Sequence, residues 1–262
     1  LTPGLMIAPP GEITKKDGDP YQVYSYYMRT WKDRYLPVQV QNVLPAPDRV
    51  ETPDGIRSSV DLPSASTPAV VEHFAPGAQE ASNRLERFVG GQVPDIYRYS
   101  VSRDRPDLGQ TSRLSPYFHF GMLSVREAVA GAMAAKRQAE TAVEREGVDT
   151  WIEELIWRDF YLSILYHFPD VMHGSFREAF ADLPWRNDRG EFQRWKEGKT
   201  GYPLVDAGMR QLQQEGWMHN RVRMVAASFL VQHLLTDWRW GETWFMKQLV
   251  DADLAANNGG WQ

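Results

Sequence analysis

Apolar residues recur at spacings of three and four along most of this chain, which is the period of an amphipathic helix. The segment 21–35 shows this pattern first, with large apolar side chains at Tyr24, Tyr27, Met28, Trp31 and Tyr35. Beyond residue 68 the pattern is persistent, and no strand-like alternation competes with it. The helices predicted there are 78–89, 125–146, 151–168, 176–181, 204–215, 217–235 and 242–249. We therefore expect a helical domain over 68–262.

Capping residues mark the starts of two of these helices. Ser124 followed by Glu127 forms a capping-box pattern before the helix 125–146. Asp149 stands just before the helix 151–168 and is predicted to cap it.

A change in composition separates the first helix from the later ones. Residues 36–67 are rich in Pro, Asp and Ser and carry little apolar periodicity, which is typical of an interdomain linker. The chain begins at Leu1 rather than Met and stops directly after a Gly-Gly-Trp turn. We therefore expect a fragment that is cut at both ends.

The composition narrows the class of protein. With 262 residues, of which 42% are hydrophobic and 24% charged, the chain can bury a sizeable core. No apolar run approaches the ~20 residues that a membrane-spanning helix needs, so no membrane partner is expected. The absence of cysteine excludes disulfides and thiolate chemistry and fits a reducing cytoplasm. A net charge of −5 disfavours coating of nucleic acid by bulk charge but leaves a local basic groove open.

Two common kinds of site are not supported. No Gly-x-Gly-x-x-Gly or P-loop pattern occurs, so a dinucleotide-binding α/β fold is not expected. His167 and His173 lack the spacing of metal ligands, and we expect both to be structural. No metal site is therefore predicted.

Three hydroxyls and a guanidinium fall within five residues of the chain. The cluster runs Thr111, Ser112, Arg113, Leu114, Ser115. Hydroxyl groups before a helix commonly cap its first turn, and this cluster could do no more than that. The same groups, with backbone N–H donors, also suit phosphate oxygens. The residue types alone leave both interpretations open.

Four residues of the predicted helix 151–168 share one face. Glu154, Trp157, Arg158 and Tyr161 lie at positions i, i+3, i+4 and i+7. Glu154 and Arg158 could simply pair on the surface, which would contribute roughly a few tenths of a kcal/mol. A tryptophan and a tyrosine on the same stripe make a solvated face less natural. They suggest a wall on which a flat base could stack.

The predicted helix 217–235 also has two faces. Asn220, Arg223 and Met224 lie on one face, and the opposite face is apolar. A further polar group closes the chain beside the Gly-Gly-Trp turn. Its members are Asp251, Asp253 and Asn257. A surface turn capped by Asx side chains would explain this group, and so would a ligand site.

Four motifs, in order and spacing, resemble those of the DNA photolyase/cryptochrome family. They are Thr-Ser-Arg-Leu-Ser-Pro-Tyr at 111–117, Glu-Leu-Ile-Trp-Arg-Asp-Phe-Tyr at 154–161, Trp-Met-His-Asn-Arg-Val-Arg-Met at 217–224 and Asp-Ala-Asp-Leu-Ala-Ala-Asn-Asn-Gly-Gly-Trp at 251–261. They look most like a class I cyclobutane pyrimidine dimer photolyase. The resemblance implies an all-α, photolyase-type FAD-binding domain over 68–262, after a remnant of an α/β antenna domain at 1–35 and the linker 36–67.

The resemblance also implies FAD as the cofactor, reduced in the active state. The hydroxyls of the cluster would meet its phosphates, and the neutral amide of Asn257 near the flavin N5 would suit a reduced flavin. An additional antenna chromophore is implied, with no residues here to identify it. The implied FAD-contacting residues are Tyr99, Thr111, Ser112, Arg113, Leu114, Ser115, Trp151, Arg158, Arg223, Asp251, Ala252, Asp253 and Asn257.

On the same basis the partner would be UV-damaged DNA with a flipped-out pyrimidine dimer. Light-excited, reduced FAD would donate an electron to the dimer, the cyclobutane ring would open, and the electron would return. The implied DNA-contacting residues are Arg103, Glu154, Trp157, Tyr161, Asn220 and Met224. The implied catalytic residues are Glu154, Asn257 and the members of an electron-relaying tryptophan chain, Trp185, Trp238 and Trp261.

Two other functions stay open. Cryptochromes share this fold and flavin pocket but act as blue-light receptors, so the fold alone does not decide. Asn220 and Asn257 are the residue types that the resemblance associates with dimer repair. A helical nucleic-acid-binding module without flavin would explain Arg221 and Arg223, but not the polar group at 251–257. We expect a monomeric, cytoplasmic repair enzyme.

Overall fold

The computed structural model describes residues 6–36 and 70–262. The main elements of these residues are helices and there is no β-strand among them, which confirms the predicted all-α class. The helices are α1 (Tyr24–Tyr35), α2 (Val70–His73), α3 (Ala78–Val89), α4 (Tyr99–Ser102), α5 (Ser115–His119), α6 (Val125–Gln138), α7 (Ala142–His167), α8 (Arg189–Lys196), α9 (Pro203–Glu215), α10 (Asn220–Ser228), α11 (Trp238–Gln248) and α12 (Leu254–Trp261).

Several predicted helices are confirmed. Residues 78–89 form α3, residues 204–215 lie in α9, and the predicted helix 21–35 is α1, which starts three residues later. The start of α6 is also confirmed, because Ser124 Oγ accepts a hydrogen bond from the amide of Arg126 (3.2 Å). Periodicity and capping are local properties, and they located these elements without tertiary information.

The break between α6 and α7 lies earlier than predicted. Thr141 starts α7 with a capping box, in which Thr141 Oγ1 accepts from the Glu144 amide (3.2 Å) and the Glu144 carboxylate accepts from the Thr141 amide (2.9 Å). The predicted cap at Asp149 is therefore wrong. Asp149 lies inside α7 and pairs with Lys136 at 2.5 Å.

Two other predicted helices are shorter in the structure. The prediction 176–181 is wrong, since that segment forms no more than a 3₁₀ turn at Glu178–Phe180. The predicted helix 217–235 starts only at α10, because His219 Nδ1 accepts a hydrogen bond from the Arg221 amide (3.2 Å) and so caps the helix there. After α10 the chain continues as a π-helical turn. The polar helix α8 was not predicted.

The polar turn predicted at the end of the chain is a helix. Asp253 accepts a hydrogen bond from the amide of Ala256 (2.8 Å) and starts α12. Gly259 lies inside α12, where a Cβ would clash with the ring of Tyr161. Glycine here permits close packing of α12 on α7 rather than a turn, and sequence patterns do not distinguish these two uses of glycine.

The central helix of the described fold is α7. Packed against it are α1, α4, α6, α12 and the 3₁₀ turn Asp95–Arg98. That turn comes so close that a Cβ on Gly147 would lie 2.5 Å from the Ile96 carbonyl oxygen. Apolar side chains of α1, α3, α6 and α7 form the larger core, and a second core lies around Trp195 and Met209 between α8 and α11.

Residues 6–36 belong to the same packed unit as α3, α6 and α7, because Ile13 and Tyr27 lie in the larger core. The predicted linker 36–67 falls outside the described residues except for Leu36. The interpretation of 1–35 as the remnant of an antenna domain stays a prediction. Within the two described ranges, none of the helices combines the length and the apolar character needed to cross a bilayer.

A buried carboxylate fastens this N-terminal segment to α7. Asp159 is 0% exposed, and its Oδ2 accepts hydrogen bonds from the amides of Ile7 (3.1 Å) and Ala8 (3.0 Å) and from Trp31 Nε1 (3.0 Å). Burial nevertheless raises the pKa of Asp159 to about 6. The folded protein therefore binds this proton more tightly than the unfolded chain does.

The stabilising contribution of protonated Asp159 is complete below about pH 4 and is lost as the pH rises through about 6. We expect the free energy of unfolding of the wild type to fall by about 3 kcal/mol relative to that of Asp159→Asn over this interval. Urea unfolding of both proteins at a series of pH values measures the difference. A difference that does not vary with pH would contradict the expectation.

Candidate functional site

One face of α7 carries the aromatic wall that the sequence predicted. The rings of Trp157 and Tyr161 are stacked, with centroids 5.4 Å apart and planes 29° apart. Tyr24 of α1 also stacks on Trp157, with centroids 3.5 Å apart and planes 7° apart. The wall is thus built from two helices. The apolar pattern predicts Tyr24 on a helix but carries no signal that it belongs to a site.

Glu154 lies one turn before Trp157 and is paired with Arg103. Arg103 Nη1 is 2.5 Å from Glu154 Oε1, and the two side chains are 32% and 31% exposed. Burial raises the pKa of Glu154, and the guanidinium of Arg103 opposes that effect. The fold therefore brings together Arg103, Glu154 and Trp157, three residues that the resemblance implies as DNA contacts.

Asp104 extends this charged group. Its Oδ1 accepts hydrogen bonds from Arg221 Nε (2.9 Å) and Nη2 (2.6 Å), and it lies 4.0 Å from Arg103 Nε. Arg221 Nη1 also contacts Met224 Sδ at 3.3 Å. Asn220 and Met224 are exposed on α10. Asp104 and Arg221 were not among the predicted site residues, because their pairing across 117 positions is visible only in the fold.

Arg223 and Asp251 form a buried ion pair. Arg223 Nη2 lies 3.0 and 2.8 Å from the two carboxylate oxygens, and Arg223 Nε donates to the Met218 carbonyl (2.8 Å). The Asp251 side chain is 2% exposed and that of Arg223 is 22% exposed. The pair joins α10 to the segment before α12, so two predicted FAD contacts hold each other in place.

Asn257 ties α12 to α11. Its Nδ2 donates to a backbone carbonyl of α11 (3.0 Å), and its Oδ1 accepts from Trp261 Nε1 (3.1 Å). Trp261 packs on Gly241, where a Cβ would clash with the indole. The Asp253 carboxylate caps α12, and Ala252 is half-buried against the second core. The amide predicted beside the flavin is therefore already oriented by two hydrogen bonds.

The three tryptophans of the predicted relay border α11. Trp238 is buried at its first turn, and Trp261 packs on its glycine. Trp185 is half-buried in the loop before α8, and the amide of the next residue, Arg186, donates to the carbonyl of Leu235 (2.8 Å) just ahead of α11. Their role in electron transfer stays a prediction.

The hydroxyl cluster at 111–115 does not cap a helix with its side chains. The cap of α5 is Leu114, and no side-chain hydrogen bond closes that helix start. Thr111 Oγ1 is buried and has no hydrogen-bond partner among the described residues. A cavity of about 250 Å³ lies against the loop. It is lined by Arg84, Arg87, Phe88, Asp95, Gly109, Thr111, Ser112 and Arg113.

Trp217 holds the second half of the cluster. Arg113 adopts a left-handed backbone conformation (φ 49°), and its guanidinium lies 4.6 Å from the centroid of the Trp217 ring. Arg113 Nη1 is 3.7 Å from the Glu215 carboxylate, and Ser115 Oγ accepts a hydrogen bond from Trp217 Nε1 at 3.4 Å. The loop is thus fixed to the turn between α9 and α10.

Phe88 connects this cavity to two further predicted contacts. Its ring meets Tyr99 edge-on (centroids 6.0 Å apart, planes at 88°) and Trp151 at a tilt (5.1 Å, 50°). Trp151 is buried, and burial raises the pKa of Tyr99, which keeps the phenol neutral. Arg158 is half-buried on α7, one residue before Asp159. Phe88 was predicted on a helix but not as part of a site.

The chain is similar to known proteins over nearly its whole length. Residues 151–262 match the family model for the FAD binding domain of DNA photolyase. A deoxyribodipyrimidine photo-lyase from Halobacterium salinarum is 44% identical over 255 residues, which cover 97% of this chain and 53% of that protein. The chain belongs to the DNA photolyase/cryptochrome family.

Solved structures of this family share the fold. A bacterial class III photolyase from Agrobacterium tumefaciens superposes with a TM-score of 0.84 at 35% identity, covering 98% of this chain and 53% of that one. A Synechocystis cryptochrome gives a TM-score of 0.78 at 26% identity, covering 98% and 54%. The chain spans about half the length of these relatives.

The buried pair Arg223–Asp251 of this photolyase-family chain yields a stability prediction. Removal of the guanidinium leaves a buried carboxylate without its partner, so we expect Arg223→Met to lower the free energy of unfolding by about 3–5 kcal/mol. Lys136→Met breaks the more exposed pair with Asp149 (31% and 38% exposed) and should cost no more than about 1 kcal/mol. Denaturant unfolding compares the two variants, and equal losses would contradict the prediction.

Proposed function

We propose that the protein containing this chain repairs cyclobutane pyrimidine dimers in DNA with the energy of light, and that this domain holds both FAD and the flipped-out dimer. One observation carries the proposal. The wall of Trp157 and Tyr161 stands beside the pair Glu154–Arg103. It offers an aromatic face for a base, next to a carboxyl for the base edge and a guanidinium for a phosphate.

The residues present fit FAD as the cofactor. The buried Thr111 hydroxyl, which lacks a partner among the described residues, and the neighbouring Ser112 and Arg113 are donors of the kind that phosphate oxygens accept. When bound and reduced, FAD would supply the electron that light moves onto the dimer and would recover it after ring opening. The residues proposed to hold it are Tyr99, Thr111, Ser112, Arg113, Leu114, Ser115, Trp151, Arg158, Arg223, Asp251, Ala252, Asp253 and Asn257.

Each residue at the proposed substrate mouth has a defined task. Trp157 would stack on the extruded dimer, whose extrusion costs about a few kcal/mol and least for a damaged pair. Glu154 would hydrogen-bond the base edge. Burial raises the pKa of Glu154 and Arg103 opposes that effect, and in the pair with Arg103 the carboxylate can accept a hydrogen bond from a base N–H. Asn220 and Met224, both exposed on α10, would complete the mouth.

We also propose that Trp185, Trp238 and Trp261 relay electrons to oxidised flavin. The hydrogen bond from Trp261 Nε1 to Asn257 Oδ1 would fix one indole of this chain beside the amide that faces the flavin. In this arrangement Asn257 serves both the flavin and the relay.

Illumination of the full-length, reduced protein with a thymine-dimer oligonucleotide tests the proposed function. We expect intact thymines to be restored in the light and not in a dark sample. Flavin absorption without repair would favour a signalling role of the cryptochrome type. A protein without flavin absorption would leave a helical nucleic-acid-binding module.

Carboxylates neutralise both arginines at the proposed mouth. Asp104 binds Arg221, and Glu154 binds Arg103. A DNA phosphate must therefore compete with a carboxylate before it gains either guanidinium. Such competition disfavours ligands that offer phosphates alone and favours DNA that also stacks a base on Trp157.

We expect Asp104→Asn to tighten binding of undamaged duplex several-fold, and that of dimer DNA less. Release of Arg221 to one more phosphate should steepen the slope of log affinity against log salt by about one. Asp107→Asn is a matched control, because Asp107 pairs with Arg105 through the same two guanidinium atoms, at 2.9 and 2.6 Å. Fluorescence anisotropy measures both variants. Equal effects would indicate a general charge effect and contradict a specific role for Asp104.

A further inference from the structure

Tyr24 lies flat against the indole of Trp157. Their centroids are 3.5 Å apart and their planes differ by 7°, so the two rings overlap almost completely. Aromatic pairs in proteins generally prefer offset or edge-to-face arrangements, with centroids about 4.5–7 Å apart. A full-face pair therefore has to be imposed by the surrounding contacts.

Three contacts impose it. The Tyr24 hydroxyl donates to the Glu153 carbonyl at 2.8 Å, and burial raises the pKa of Tyr24, which keeps this donor protonated. Phe160 meets both rings edge-on, at 5.8 Å and 73° for Tyr24 and at 5.7 Å and 80° for Trp157. Two turns later in α1, Lys32 pairs with Glu153 at 2.6 Å. Tyr24 cannot leave Trp157 without breaking contacts to α7.

The stacking of Tyr24 on Trp157 determines which part of the indole a base can contact. One face of the indole is covered by Tyr24, while Tyr161 approaches from further away and at a tilt of 29°. Trp157 itself is half-buried. A base can stack only where the indole is not already covered.

We propose that Tyr24 is a positioning residue for recognition of the dimer, which it serves by holding the Trp157 indole in one orientation. The inference rests on the proposed function. An indole that is already fixed loses little further freedom when a base stacks on it, so binding is stronger. The proposal extends the substrate site to α1, which lies outside the matched residues 151–262.

Three variants of the full-length holoenzyme test it. Tyr24→Leu keeps apolar volume but removes the stack, and we expect it to weaken dimer-DNA binding about tenfold and to leave undamaged DNA unaffected. Tyr24→Phe keeps the stack and should stay within about twofold of the wild type. Tyr26→Leu is the matched control, because Tyr26 is 56% exposed on the same helix. In repair assays, Tyr24→Leu should raise KM and leave kcat unchanged at saturation.

A double-mutant cycle separates positioning from general structure. If Tyr24 acts through Trp157, the tenfold effect of Tyr24→Leu should vanish in a Trp157→Ala background. A loss that persists there, or an equal loss for undamaged DNA, overturns the proposal. Tighter dimer binding by Tyr24→Leu also overturns the proposal, because it would mean that the Tyr24 ring occupies the position on Trp157 where the base stacks.

Three further outcomes of these experiments each have a defined consequence. If Tyr24→Leu lowers the melting temperature, Tyr24→Met takes its place, because methionine fills similar space without an aromatic face. A wild type that neither prefers nor repairs dimer DNA refutes the proposed function, and the role of Tyr24 fails with it. A wild type that repairs, with Tyr24→Leu equal to Tyr26→Leu, refutes the role of Tyr24 alone.

Discussion

The buried carboxylate of Asp159 fixes the N-terminal segment on α7, and the arrangement of the aromatic wall depends on that attachment. Burial of a carboxylate is costly, and here N–H donors from Ile7, Ala8 and Trp31 offset part of the cost. Trp31 lies two turns after Tyr24 on the same helix. Once Trp31 is bound to Asp159, α1 has one register on α7, and this register brings Tyr24 onto the face of Trp157.

Close packing of α12 on α7 and α11 links the proposed DNA-contacting residues to the proposed FAD-contacting residues. Tyr161 belongs to the aromatic wall, yet its ring packs on Gly259 of α12. Two residues before that glycine, Asn257 is held by α11 and by Trp261. Gly259, where α12 meets α7, and Gly241, where α11 meets α12, let the backbones approach closely enough for Tyr161 and Trp261 to pack on them. Displacement of α12 would therefore disturb the wall and the amide together.

Sequence patterns predicted the helices better than their ends, and they did not predict which side chains the candidate site residues contact. The break before α7 was misplaced because two capping signals lie close together, and the complete capping box at Thr141 prevailed over the single acid Asp149. Arg223 and Asp251 were both predicted as cofactor contacts from motifs. Their mutual ion pair spans 28 positions and depends on how α10 meets the segment before α12, which local patterns do not encode.

Tyr24, in the aromatic wall, is a second residue whose helix was predictable from the sequence but whose long-range contacts were not. Its position in an amphipathic helix was predictable, but every aromatic residue on that face fitted a core equally well. Only the register set by the buried carboxylate distinguishes Tyr24 from its neighbours Tyr27 and Trp31, which are fully buried. Long-range polar contacts thus place in the aromatic wall a residue whose local pattern does not distinguish it from a core residue.

The negative net charge of the chain, together with the pairing of its arginines, bears on the proposed binding of DNA. A net charge of −5 provides little bulk attraction for a polyanion, and Arg221 and Arg103 are already paired with Asp104 and Glu154. In the proposed function, the sequence-independent part of DNA binding would therefore be weak in this part of the protein. Stacking on Trp157 would then make up a larger share of the binding free energy. A protein that discriminates rare lesions among many undamaged sites benefits from such a balance, so in the proposed function the acidic residues would contribute to recognition rather than oppose it.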